Sequence, residues 1–159
     1  MISPVHKDIE NGLLLEDPPT TVRWEITCED LVRALGNAVR EVAANCYLGG
    51  PFRLYRDKLC RIGFHFDNDH LSAFELYWSD EGDLSKSFAE FQQWLEATFG
   101  PPTRRSDPDP TKIDLSAGYS HFDWEVGPVL IKHYVLDRFG PEEHVWIDKG
   151  HLYRPDQSG

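Results

Sequence analysis

The chain has 159 residues, and 27 Asp and Glu against 16 Lys and Arg leave a formal net charge of −11 at pH 7. Hydrophobic residues make up 40% and aromatic residues 13% of the chain, which excludes wholesale disorder and supplies enough apolar surface for the core of one domain. The excess of carboxylates argues against a protein that coats nucleic-acid phosphates, because that binding depends on clustered Lys and Arg.

The chain begins with a segment that predicts little regular structure. Residues 1–20 carry Asn-Gly and Pro-Pro steps and predict an extended lead-in. Residues 22–26 alternate apolar and polar side chains, as a short strand does. A helix is expected after Thr27, whose hydroxyl can accept a hydrogen bond from the helix start. This helix either continues to about residue 47 or ends at Gly36 with a strand after it, because glycine interrupts the apolar stripe.

Further along, alternating side chains predict a series of strands. They cover residues 52–55, 59–66, 71–78, 119–126, 129–138 and 144–148. A turn of short polar residues joins the second and third of these strands into a hairpin. Residues 85–99 predict a second helix, because their large aromatic side chains share one helical face and Gly100 with two prolines ends it.

Strands joined by short turns predict an antiparallel sheet, so the expected fold class is α+β. We expect six to seven strands with two helices on one face, in a single domain over residues 21–149 that is followed by a loose tail at 150–159. The order of elements is also compatible with a duplicated unit of one helix and three strands, since each helix ends in a glycine, at Leu35-Gly36 and Phe99-Gly100.

The cysteines and the apolar segments bear on the compartment. The start of the chain lacks the apolar stretch of a secretion signal, and no window approaches the roughly 18 apolar residues that cross a bilayer. Cys28, Cys46 and Cys60 have no metal-binding spacing, although two of them could pair if they met in space. We expect three buried thiols in a cytoplasmic protein without a membrane partner.

Motifs for nucleophilic catalysis, phosphate-binding loops and zinc spacing do not occur in the sequence. One turn gathers His65, Asp67, Asp69 and His70, but it lacks the glycine and the distal glutamate of a calcium loop. We interpret this group as a solvated hairpin turn. The sequence therefore predicts no catalytic residue, no metal site and no cofactor.

A second group of polar side chains follows the last three predicted strands. His121, Asp123 and Glu125 alternate along one strand, and His133 and His144 lie on the next two. Such a sheet face would suit a metal, a small ligand or an acid–base pair. It would equally suit the polar side of a half-buried sheet, which is the interpretation that we favour.

The acidic segment between residues 67 and 83 is more unusual. It holds six carboxylates and no Lys or Arg, and one of its strands places Glu75 and Tyr77 on the same face. Carboxylates without counter-charges repel one another unless a basic partner neutralises them. Aromatic side chains within a charged rim are typical of protein interfaces. The predicted partner-binding residues are Asp67, Asp69, Glu75, Tyr77, Asp80, Glu81 and Asp83.

The order of elements resembles that of bacterial immunity-type proteins, which neutralise secreted toxins. The resemblance lies in a helix that ends in Leu-Gly or Phe-Gly and in a meander that contains Phe-Asp-Asn-Asp-His-Leu at 66–71. The order of elements resembles, more distantly, the helix-and-strand repeats of the β-lactamase inhibitory protein. The resemblance covers most of residues 28–148 as an order of elements. It implies a protein partner, namely a basic toxin domain such as a nuclease, whose nucleic-acid groove an acidic surface would mimic or block.

These observations predict a non-catalytic, acidic protein-binding module that inhibits a toxin and does not itself bind nucleic acid. The alternative is a small enzyme, or a metal- or ligand-binding protein, that uses the face with His121, Asp123, Glu125, His133 and His144. A cleft with converging imidazoles and carboxylates would favour chemistry, whereas a flat acidic surface would favour a partner.

Overall fold

The structure is a computed structural model that describes residues 4–16, 19–77, 83–105, 121–137 and 141–149. It confirms the α+β class and the antiparallel sheet. The helices in the described part of the chain are α1 (Pro4–Asn11), α2 (Cys28–Leu35) and α3 (Leu84–Phe99). None of the described helices is long and apolar enough to span a membrane.

The strands form one large sheet and one small one. The small sheet is the hairpin of β1 (Gly12–Leu15) and β2 (Thr20–Arg23). The large sheet contains β3 (Val39–Ala43), β4 (Cys46–Leu54), β5 (Lys58–Asp67), β6 (His70–Tyr77), β7 (Arg104–Arg105), β8 (His121–Val126), β9 (Val129–Asp137) and β10 (Pro141–Asp148). Its spatial order is β3-β4-β5-β6-β10-β9-β8-β7, so β3 and β7 are the edge strands. The sequence offers β3 as one of two alternatives after Gly36 and does not predict β7.

The large sheet consists of two consecutive meanders that meet in its middle. α2 precedes the meander β3 to β6, and α3 precedes the meander β7 to β10. The two last strands, β6 and β10, pair antiparallel and join the halves. Each half therefore has one helix and four strands, where the sequence predicts three strands.

The N-terminal segment differs from the expected extended lead-in. α1 and β1 fall within residues 1–20, and Ile9, Leu13 and Leu15 are buried in the main core. The indole Nε1 of Trp24 donates to the Ile9 carbonyl at 2.9 Å. The apolar residues of this short segment give no lasting periodicity, so their burial depends on tertiary packing rather than on a local pattern.

The helix after Thr27 ends early, which decides between the two alternatives. The Thr27 hydroxyl accepts from the Asp30 amide at 3.2 Å, as an N-cap does. Gly36 ends α2 with a φ of 55°, a backbone conformation that glycine adopts without strain. β3 follows at Val39 and β4 begins at Cys46, so the apolar positions beyond Gly36 belong to strands rather than to one long helix.

The core fills the space between the helices and one face of the large sheet. The sheet contributes Ile62, Phe64, Phe74, Phe122, Trp124, Ile131, Val145 and Ile147. The helices contribute Ile9, Leu31, Phe88, Phe91 and Leu95. Since side chains alternate across a strand, the intervening residues lie on the opposite face of the sheet.

Candidate functional site

The opposite face of the large sheet, which we call the open face, carries polar and aromatic side chains. Its central residues are His65, Glu75, Tyr77, His121, Asp123, Glu125, Lys132, Tyr134, His144 and Trp146. The register places Glu75 opposite Trp146, and Trp146 opposite Lys132. The open face therefore crosses the junction between the two meanders.

Glu75 is the centre of a hydrogen-bond network on this face, although its side chain is only 10% exposed. Its Oε1 accepts from the Tyr77 hydroxyl at 2.8 Å and from His65 Nε2 at 3.2 Å. Its Oε2 accepts from His144 Nδ1 at 2.8 Å. Burial by itself raises the pKa of Glu75, but these hydrogen bonds outweigh burial and lower that pKa to about 2.

The backbone opposite Glu75 makes room for this network. Gly63 pairs with Glu75 across β5 and β6. A Cβ atom at Gly63 would come within 3.3 Å of the Tyr77 ring and 3.4 Å of His65 Nε2. The missing side chain therefore allows both rings to lie over the strand and reach the carboxylate.

A row of rings runs across β8, β9 and β10 beside the network. Tyr134 lies between His121 and His144 in the strand register. Its ring is stacked on His144 with centroids 5.3 Å apart and contacts the His121 ring at 5.8 Å. In the next row, the rings of His65 and Trp146 are 4.8 Å apart. These contacts hold the aromatic side chains in fixed positions on the open face.

Asp123 forms a second electrostatic cluster at the β7 edge. Its carboxylate lies 2.7 Å from His121 Nε2 and 3.5 Å from Arg104 Nε. Burial raises the pKa of Asp123, but the hydrogen bond and charge of His121, together with Arg104 and Lys132, lower it overall. Arg104 also pairs with Glu125 at 2.9 Å, so both carboxylates of this strand have counter-charges.

The open face has an open depression where its rings meet Lys132. A depression of about 420 Å³ is lined by His121, Lys132, Tyr134 and Trp146. No group of three or more His, Cys, Asp or Glu in the described ranges is arranged to hold a metal ion. The geometry suits contact with a surface better than enclosure of a small molecule.

The structure corrects the placement of His133, which the sequence assigned to the same face as His121 and His144. His133 pairs with Phe122 and Val145, so it faces the helices and is fully buried. Its ring stacks on Phe88 at 3.8 Å. His133 is in phase with Val129, Ile131 and Val135, but Leu130 and Leu136 make the other phase of β9 apolar as well, so only the register with β8 decides which face it takes.

His133 has polar partners inside the core. Its Nε2 lies 2.5 Å from Glu143 Oε2, and its Nδ1 lies 2.8 Å from Gln92 Oε1. Complete burial lowers the pKa of His133, and the carboxylate of Glu143 opposes that effect. Ser87 donates to the other oxygen of Glu143 at 2.6 Å. The group is a structural polar network rather than part of the open face.

The predicted acidic hairpin does not form one patch in the described part of the chain. Asp67 and Asp69 are exposed at the β5–β6 turn, whereas Tyr77 lies at the far end of β6, roughly 23 Å away at about 3.3 Å per residue. Asp83 caps α3, and its carboxylate accepts from the Ser85 amide at 2.9 Å. Asp80 and Glu81 lie outside the described residues.

His65, Asp67, Asp69 and His70 are close in sequence around one turn, but their side chains do not converge on one point. His65 points to Glu75 on the open face, whereas His70 Nδ1 contacts the Glu25 carbonyl at 3.0 Å. Asp67 and Asp69 are exposed, as expected of a solvated turn.

The cysteines are free thiols. Cys60 is buried, and burial raises its pKa to about 12. Cys28 and Cys46 are half-buried, so the expectation of buried thiols holds in full only for Cys60.

Sequence reasoning missed Lys132, Tyr134 and Trp146 as members of the open face. Lys132 and Tyr134 alternate with apolar residues in β9, and Trp146 follows His144 at the same spacing in β10. This alternation was the available signal. The alternation places these residues on the open face only once the register between β9 and β10 is known.

Comparison with known proteins gives one fold-level likeness. No family model and no curated protein match the chain. Its structure is similar to the crystal structure of a DUF4309 family protein, YjgB, from Bacillus subtilis, with a TM-score of 0.51 and 15% sequence identity over 91% of each chain. At this identity the likeness concerns the fold alone.

Proposed function

We propose that the protein is a non-catalytic binding module that captures a basic protein domain on its open face, and that it acts as an immunity-type inhibitor of a toxin. The observation that carries the proposal is the fixed array of Tyr77, Tyr134, His144 and Trp146 on a sheet face whose described residues form an open depression rather than a deep cleft. Aromatic side chains that are already held in place bind a partner at little cost in conformational entropy.

The electrostatic pairing on the open face favours binding over catalysis. Both oxygens of Glu75 already accept hydrogen bonds, and Asp123 is paired with His121 and Arg104. A general base needs a free lone pair near its substrate and a pKa near the working pH. The low pKa of Glu75, at about 2, is far from that range.

The charge of the molecule indicates the sign of the partner. The formal net charge is −11, and the rim of the open face carries Glu125 and Glu142, whose side chains are 51% and 42% exposed. The long-range attraction between an acidic protein and a basic surface accelerates their encounter. The net charge of the whole chain therefore favours a basic toxin domain over a nucleic acid as the partner.

We also propose that the chain contains a duplicated unit, as the sequence suggested. The support for this is that one helix followed by a four-stranded meander occurs twice in the order of elements. In such a duplication the open face crosses the junction of the two copies. Both copies would then contribute side chains to one continuous partner surface.

Capture from the cells that carry the protein, followed by a growth assay, tests the proposal. We expect the wild-type chain to retain a basic protein that arrests growth when it is expressed alone, and co-expression of the chain to restore growth. Tyr134→Ala should weaken the complex by about 1–2 kcal/mol, as a buried aromatic contact does.

A charge-matched pair of variants separates the effect of a charge on the open face from the effect of the net charge of the protein. Glu125→Lys on the rim and Glu90→Lys on exposed α3 each change the net charge from −11 to −9. We expect Glu125→Lys to slow association several-fold more than Glu90→Lys at low salt. Equal rates for the two variants, or a captured protein that has no effect on growth, would contradict the proposal.

One observation favours the alternative of a small-ligand site, namely the depression between His121 and Trp146. The same alternative includes a metal site, which this depression does not itself favour, because the described residues show no arranged group of metal ligands. The test of a metal site is the metal content of the purified protein. Stoichiometric zinc, iron or calcium that His121→Ala removes would support that alternative.

A further inference from the structure

A second depression, of about 150 Å³, lies near the β3 edge of the large sheet and is separate from the aromatic row. Arg40 of β3 and Arg61 of β5 line it from two sides, and Asn37 lies beside them. Both arginines are exposed. The register connects Arg40 through Leu48 to Gly63, so the arginines project from the face that carries Glu75.

Two adjacent glycines of β4, Gly49 and Gly50, also line this depression. A Cβ atom at Gly49 would lie 2.5 Å from the Ala38 carbonyl oxygen, which leaves no room for a side chain. Gly50 has a φ of 107°, which side-chain-bearing residues rarely adopt. Gly49 pairs with the buried Val39 and Ile62, so its missing side chain is on the helix-facing side. A Cβ atom at Gly50 would lie 3.2 Å from the Arg61 Cα, so its absence leaves room beside that arginine.

The charges in this depression are not balanced. Arg33, Arg53 and Arg104 each contact a carboxylate. Arg40 and Arg61, by contrast, form no ion pair within the described part of the chain, and no carboxylate of that part lines the depression. In a chain with 27 acidic and 16 basic residues, two arginines that line one depression without counter-charges leave a local site for an anion.

We propose that this depression binds a phosphate group. The planar fork of each guanidinium group donates two parallel hydrogen bonds to phosphate oxygens, and two such groups balance a dianion. The Asn37 amide supplies a further donor at the rim. Although both arginines belong to the same sheet face as Glu75, neither of them is among the residues proposed to hold the partner, so the two proposals can be tested separately.

Calorimetric titration tests this site with two probes, inorganic phosphate and O-phospho-L-serine, at constant ionic strength. We expect saturable one-to-one binding. Arg40→Gln and Arg61→Gln should each weaken it about tenfold or more, as the loss of a charge-assisted hydrogen-bond pair does. The control Arg33→Gln removes the same charge from exposed α2 and should leave the affinity unchanged.

The two probes distinguish a free anion from a phosphate monoester. Preference for O-phospho-L-serine supports a phosphorylated ligand, and preference for inorganic phosphate supports the free anion. Thermal unfolding gives a second readout, since phosphate should raise the Tm of the wild-type protein and of Arg33→Gln only. Absence of saturable binding with both probes, or equal weakening by all three substitutions, would overturn the proposal.

Discussion

At the residue scale, Glu75 shows how a nearly buried carboxylate stays ionised. A buried charge is costly unless hydrogen-bond donors surround it. Glu75 has three such donors, from His65, Tyr77 and His144, and they lower its pKa to about 2. Its chemistry on the open face is therefore that of a fixed anion that orients three rings.

Glu75→Gln should destabilise the protein by about 2–3 kcal/mol at pH 7. The glutamine amide replaces one carboxylate oxygen with an NH₂ group, which would then face a hydrogen-bond donor instead of accepting from it. Urea unfolding measures this difference. Glu125→Gln, which alters a half-exposed pair with Arg104, is the control and should change stability by less than about 0.5 kcal/mol. Equal stability of both variants would show that the Glu75 network adds little.

Acid should also destabilise the wild-type protein through Glu75. The folded-state pKa is lowered from 4.5 to about 2, so the contribution of this group is fully present above about pH 4.5 and is lost as the pH falls toward 2. Glu75→Gln should lack this part of the pH dependence. Parallel stability curves for the two proteins between pH 5 and pH 2 would contradict the assignment.

His133 makes a contrasting case on the helix-facing side. His133→Phe keeps an aromatic ring against Phe88 but leaves the carboxylate of Glu143 without the imidazole. We expect a loss of about 2–4 kcal/mol in the free energy of unfolding, because one partner of a buried polar pair is removed. Since His133 is not on the open face, capture of a partner by the folded variant should be unchanged. Weaker capture by the folded variant would assign His133 a part in binding.

At the scale of elements, Asp83 has a role within the fold, because it caps the start of α3. Its carboxylate accepts from the amides of Ser85 at 2.9 Å and Lys86 at 3.4 Å. An aspartate at this position also interacts favourably with the positive end of the helix dipole. Its place in the acidic segment is therefore structural, and its charge is partly used within the fold.

Asp83→Ala should destabilise the protein by about 1 kcal/mol, whereas Asp83→Asn should cost clearly less, because asparagine also caps helices. Thermal unfolding compares the two variants. If Asp83 served only the partner, both variants would be equally stable, and both would weaken capture.

At the scale of the whole molecule, the open face exists only because the two meanders join through β6 and β10. Glu75 and Trp146 are neighbours across this junction, although 71 positions separate them in the sequence. His144 reaches Glu75 across the same boundary. The proposed partner surface is thus a property of the assembled sheet, whereas the arginine depression lies wholly within the first meander.

Local patterns were sufficient to predict much of the fold. The α+β class, α3 with its glycine stop, and the β5–β6 hairpin follow from apolar periodicity and turn residues, which act over a few positions. The face that carries His121 and Asp123 was predictable in the same way, from alternation within one strand.

Only the tertiary structure decided which side chains meet. It buried α1 and β1 against the core, added β3 and β7 at the sheet edges, and turned His133 away from His144. It also surrounded Glu75 with imidazole hydrogen-bond donors from the two strands that flank β6, namely β5 and β10. The physical reason is that strand register and strand order depend on contacts between residues far apart in the chain, and a shift of one residue would exchange the two faces of a strand.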